Sequence, residues 1–221
     1  MFSVSTDDQT SVHDAEPDAR HRLLAAAQEV FADFGYEGAS VRQICTRAGV
    51  NIAGVNYHFG DKERLYIETV KQAHGCMAKQ DIPELPPGTP ASVRLELFLR
   101  AIVPEMHAPA SPSALKLVMR ELVHPGKAAG VVVEEFIRPM AFHLLAIVRE
   151  ILPGASEEKL LMTGFSIISQ CLYYRQNRPV SELIFGKERL EAIDSDMVSD
   201  HIVEFVFRAL NLVPPTRTEG A

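Results

Sequence analysis

The chain has 221 residues, 47% of them hydrophobic, and a formal net charge of −7. That length and composition bury a substantial core, as one compact domain or as a small domain joined to a larger one, and exclude wholesale disorder. Three widely spaced cysteines (Cys45, Cys76 and Cys171) suggest neither a disulfide framework nor a zinc ligand set; with no basic leader and no long apolar run, a cytoplasmic protein without membrane contact is expected.

Residues 1–17 are polar and aperiodic, and the first 18 residues carry five acids and no Lys or Arg, which reads as a disordered tail. Asp18 then caps a first helix in which Leu23, Leu24, Ala27, Val30, Phe31 and Phe34 form one stripe, with Gly35 and Gly38 as its stop. Ser40 caps a short second helix with Val41, Ile44, Cys45 and Ala48 inward, and Gly49 ends it as a residue able to take positive φ. Asn51 caps a third helix from Ile52 to Phe59, Gly60 breaks it, and Asp61 caps a long fourth with Leu65, Ile67, Val70 and Ala73 available for packing. Residues 19–79 hold eight basic and six acidic side chains and form the only net-positive block. Residues 81–90 contain Pro83, Pro86, Pro87 and Pro90 with Gly88, a density that neither helix nor central strand tolerates, and mark a domain boundary. Helices are predicted beyond it over 91–107, 113–124, 128–152, 156–175, 179–185 and 194–212, with breaks at Pro125–Gly126 and Pro153–Gly154. The Val131–Val133 run is assigned to helix because its surroundings keep the 3.6-residue period. The class is all-α, with an N-terminal domain at 18–80, a Pro-rich linker at 81–90, a larger domain at 91–212 and a flexible tail at 213–221.

Two short helices joined by a Gly-containing turn, after an amphipathic helix, form the unit that sets a helix in the DNA major groove, and Val41–Phe59 has that form. On a helical wheel Ile52, Val55 and Phe59 point into a three-helix core, Ala53, Gly54, Tyr57 and His58 point outward, and Asn56 lies at the margin. Small residues where a helix approaches the duplex, and hydrogen-bonding or aromatic groups where it touches bases and phosphates, suit this surface. The stretch FADFGYEGASVRQICTRAGVNIAGVNYHFGDKERL, Phe31–Leu65, resembles the TetR-family DNA-binding signature, matching it at Gly35, Ser40, Val41, Ile44, Ala48, Gly49, Val50, His58, Phe59, Lys62, Glu63 and Leu65. Its Val-Asn-Tyr-His-Phe form is most similar to the CecR-like subgroup. By that resemblance Ser40 and Arg42 contact backbone or a base edge, Tyr57 and His58 the phosphates and groove, and Lys62 a phosphate; Gly54, outward on the wheel, has the small size that suits close approach to the duplex. Asn56 replaces the family's usual first aromatic; it pairs bidentately with adenine or caps local backbone.

The resemblance implies a homodimeric, ligand-responsive regulator, most often a repressor, whose palindromic double-stranded operator is read by two helices about 34–36 Å apart. It also implies that the larger domain binds a small-molecule effector and dimerises through its last two long helices, for which Leu161, Gly164, Phe165, Ile168, Ile202 and Phe205 are candidates. Effector candidates are the polar groups set among apolar stretches, Arg120, His143 and Gln170, together with Met106 and Tyr174. Met119, His124, Phe136 and Met140 share the same middle helices. No cofactor and no metal are expected. Two alternatives stand beside this reading. Glu121 and His124 make one Glu-x-x-His, half of what a helical metal-carboxylate enzyme uses, and an architectural DNA-bound dimer would lack effector sensing altogether.

Overall fold

The computed structural model describes residues 18–75, 85–107 and 111–215, and every element among them is helical. The expected tail at 1–17, residues 81–84 of the Pro-rich stretch, Cys76, Lys79 and residues 216–221 lie outside the described residues. The order is α1 (Ala19–Gly38), α2 (Val41–Ala48), α3 (Ile52–His58), α4 (Lys62–Gly75), α5 (Ala91–His107), α6 (Pro112–Val123) and α7 (Ala129–Val132). A π-helical turn (Val133–Ile137) comes next, then α8 (Arg138–Ile151), α9 (Glu157–Gln176), α10 (Arg178–Phe185), α11 (Lys187–Glu191) and α12 (Ser195–Ala209).

Side-chain caps fix most of the starts. Ser40 and Gln43 form a reciprocal capping box on α2, Asn51 accepts from the Ala53 amide, and Asp61 accepts from the Arg64 amide at 2.8 Å. Ser111, Ser156 and Asp194 do the same for α6, α9 and α12. Asp18 starts α1 without a side-chain cap. The two expected stops of α1 act differently: the helix runs to Gly38 but breaks inside at Gly35, whose φ of 70° and ψ of 178° belong to a region open almost only to glycine. The predicted helix over 128–152 is interrupted by the π turn, which skews the side chains of Phe136 and Ile137 relative to a continuous α-helix. The helix α11 is an addition to the sequence prediction, and α12 ends at Ala209 rather than Leu212.

Packing divides the chain into two hydrophobic cores whose limits differ from the expected division at the Pro-rich stretch. The first joins α1–α4, through Leu23, Phe31, Ile44, Leu65 and Tyr66, to Leu117 and Val118 of α6 and to Ala128 and Val132. The second joins α5, α8, α9 and α12 through Leu95, Phe98, Ile147, Ile167, Ile202 and Phe207. Helix α6 thus belongs to the N-terminal head, although residues 76–111 separate it from the end of α4.

A buried polar link fixes it there. Tyr66 of α4 donates its hydroxyl to Glu121 Oε1 of α6 at 2.6 Å, and Glu121 Oε2 accepts from the amides of Gly126 and Ala128. Burial and the adjacent carboxylate both raise the Tyr66 pKa, so the phenol stays protonated and donating. Around this link Lys116 pairs with Asp33, Lys127 with Glu63, and Lys71 with Glu135, while Gln28 donates to Ser111 and Ser113.

Candidate functional site

Two surfaces and one cavity concern function. The first surface is the outer side of α2 and α3. Helix α3 is held from below by Val55 and Phe59, both buried, with the Arg20 guanidinium 5.4 Å from the centre of the Phe59 ring. Ile52, expected in the same core, is 49% exposed, because it sits in the first turn of a seven-residue helix beyond the reach of α1. Gly54, expected to face outward, faces the protein. A Cβ there would lie 2.6 Å from Val50 Cγ1, so glycine lets α3 fold back onto the turn before it.

Tyr57 is 85% exposed, and His58 is half-buried with its ring edge-on to Tyr57 at 4.9 Å. Asn56 is exposed, and the local cap that sequence left open for it belongs to Asn51 instead. Ser40 is exposed, but its hydroxyl is engaged with Gln43 at 2.8 Å. Arg42 is exposed and forms no ion pair among the described residues. Lys62 is half-buried, its ammonium 4.5 Å from the centre of the Tyr36 ring, a cation–π contact between α4 and α1. The face thus offers the Arg42 guanidinium, amides, hydroxyls and a projecting phenol, groups that suit phosphates and base edges.

The cavity, about 420 Å³, lies in the seam between the two cores. The head contributes His74 of α4 and Leu115, Met119 and Leu122 of α6; the bundle contributes Met106 of α5, Met140 of α8 and Ile168, Leu172 and Arg175 of α9. Phe136 and Ile137 of the π turn close it. Of the expected effector residues, Met106 lines this cavity, as do Met119, Phe136 and Met140. Arg120 does not: its guanidinium donates to the Phe31 carbonyl at 3.2 Å and lies against Gly35, tying α6 to the end of α1. His143 is exposed with its ring stacked on Phe98, and Gln170 lines a separate groove between α9 and α12. Tyr174 packs beside the His107 and Tyr173 rings. His124 is exposed at the end of α6, and the engagement of both Glu121 oxygens inside the fold does not favour a metal-carboxylate reading.

Sequence reasoning passed over His74 and Arg175, the two polar groups that matter most in the cavity. Each ends a long amphipathic helix, where a basic residue looks like ordinary dipole compensation. His74 lies against Phe136 with ring centres 4.7 Å apart and planes tilted by 36°, its buried Nδ1 has no hydrogen-bond partner among the described residues, and burial lowers its pKa.

The second surface is apolar and belongs to α9 and α12. Leu161, Met162 and Phe165 of α9 and Met197 and Phe205 of α12 are exposed, Phe165 by 67%. The other three residues expected at an interface are elsewhere. Ile202 is wholly buried in the second core, a Cβ on Gly164 would meet Leu145 of α8 at 3.2 Å, and Ile168 turns toward the cavity.

Residues 23–69 match the family model of bacterial regulatory proteins, tetR family, and residues 91–210 match that of the C-terminal domain of HTH-type transcriptional dual regulator CecR. The chain is 27% identical over 202 residues to the HTH-type transcriptional dual regulator CecR of Shigella flexneri, covering 83% of this chain and 89% of the relative. Among solved structures, the hemolysin II transcriptional regulator HlyIIR aligns with a TM-score of 0.52 at 21% identity, over 79% of this chain and 96% of that one. A TetR-like transcriptional regulator from Rhodococcus sp. RHA1 aligns with a TM-score of 0.54 at 14% identity, over 87% and 96%. At such identities the two structures share the fold. Among the described residues no helix is long and apolar enough to cross a membrane.

Proposed function

Because the chain belongs to the TetR family of transcriptional regulators, with a CecR-type C-terminal domain, we propose that it is a homodimeric repressor that leaves a palindromic operator when a small molecule fills the seam cavity. One observation carries this reading: the cavity lies between the core that holds α3 and the core that carries the exposed apolar face of α9 and α12. In a dimer joined through that face, each head is connected to the two-fold axis across its own cavity. An occupant that binds better when the seam is open tilts both heads and moves the two α3 helices off the one-turn spacing of the major groove. The moving body is the whole first core with α6 and α7, held as a unit by the Tyr66–Glu121 bond and the Arg120 clamp, rather than α4 alone.

In this reading Arg42 and Lys62 meet phosphates, Ser40 a phosphate or base edge, and Asn56, Tyr57 and His58 the groove, with Lys62 exchanging its Tyr36 contact for a phosphate. Gly54 acts indirectly, by seating α3. The testing experiment is light scattering of the purified chain followed by capture of genomic DNA fragments at moderate salt. A dimer retaining a discrete palindrome supports the proposal; a monomer that retains no DNA overturns it.

A further inference from the structure

We infer that the seam cavity takes an amphipathic monoanion, an aromatic or otherwise apolar body bearing one carboxylate or similar acid, with the acid held by Arg175. This rests on the cavity being the effector site and specifies the chemistry of its occupant.

The walls are apolar, built mainly from Met106, Met119, Leu122, Met140, Ile168 and Leu172. Three thioethers beside the tilted His74–Phe136 ring pair give an adaptable, polarisable lining suited to an aromatic body. Arg175 is the cation in this wall. Its Nη1 donates to the Met106 carbonyl at 2.7 Å, which anchors the guanidinium without neutralising it. Arg94, Arg100, Arg138, Arg149, Arg178 and Arg208 of the same half of the chain each pair with a carboxylate. Arg175 forms no such pair among the described residues, although Glu105 lines the same cavity. Burial lowers its pKa, and no neighbouring acid acts in the opposite direction. A half-buried charge without a counter-ion costs free energy, and an acid entering the cavity recovers it through charge-assisted hydrogen bonds. His74 Nδ1, without a partner among the described residues, offers the occupant a further hydrogen bond on α4, which links it to the head.

The test uses the full-length chain with Nile red, an uncharged dye that fluoresces in apolar cavities, displaced by naphthylacetate, naphthylethanol or naphthylethylamine. The three share one body and differ in the charge of the head. The expected result is dye binding, with the acid displacing it at about tenfold lower concentration than the alcohol and the amine weakest, as one charge-assisted bond requires. Arg175→Gln and Arg175→Met still bind the dye and bring the acid level with the alcohol. Equal displacement by acid and alcohol on the unmodified chain, a comparison that needs no variant, overturns the inference while leaving the cavity as an apolar site. An undiminished advantage of the acid in a folded Arg175 variant overturns it equally. Failure of the dye to bind the unmodified chain overturns the effector-site reading itself.

Discussion

Tyr57 projects from α3 with 85% of its surface exposed and only the edge of the neighbouring His58 ring against it, so removing it disturbs no core packing. Tyr57→Ala is expected to weaken operator binding by about 1–3 kcal/mol, the range of a specific groove contact, with the melting temperature unchanged. Gel-shift titration and thermal unfolding on the same preparation check it; unchanged affinity removes Tyr57 from the DNA interface. Tyr66 is the opposite case, a phenol whose ring fills the head core edge-on to Phe31 at 4.8 Å while its hydroxyl meets a buried carboxylate. Tyr66→Phe keeps the ring and removes only the donor. Denaturant unfolding should show a loss of about 1.5–3 kcal/mol, the range for hydrogen bonds to charged groups. Glu121→Gln in the same background should cost less than it does alone, since the partner it would have lost is already gone.

At the scale of elements, the end of α1 is where the head is clamped to α6. Gly35 has a backbone conformation closed to other residues, and a Cβ there would stand 2.6 Å from Arg120 Nη1. Gly35→Ala is therefore expected to strain the turn by about 1–3 kcal/mol and to push Arg120 off the Phe31 carbonyl. Circular-dichroism melting against Arg120→Ala separates the two contributions: if clamp loss were the whole effect, the two variants would melt alike. These positions explain an uneven legibility of sequence. Ser40, Gly49, Asn51 and Asp61 announce α2, α3 and α4 because a cap satisfies backbone groups within three or four residues of itself. Arg120 and Glu121 announce nothing of the kind, since their partners lie on α1 and α4. The π turn is hidden for a related reason: Val131–Ile137 keeps an apolar pattern compatible with helix, and the extra residue shows only in the register of α8 after it.

At the scale of the whole molecule, the exposed apolar face of α9 and α12 is the surface the dimer reading uses. Phe165→Glu places a charge at its centre and leaves the second core intact, because Phe165 points away from it. Light scattering should show dissociation to monomer, and operator affinity should fall with it; a persistent dimer would place the interface elsewhere.

The sequence by itself determined the all-α class, the order and most boundaries of the helices, and the form of the α2–α3 unit. Helix periodicity and capping are local, so each segment carries its own evidence. The tertiary structure decided how those helices share cores and which polar groups meet. Periodicity tells which stripe of a helix is apolar but not which neighbour covers it. Hence Arg120, His143 and Gln170, polar groups set in apolar stretches of sequence, lie outside the cavity, whereas His74 and Arg175 line it from helices far apart in the chain. Hence also α6, distant from the head along the chain, is part of it in space: burying Leu117 and Val118 against α1 and α4 outweighs sequence proximity to the bundle.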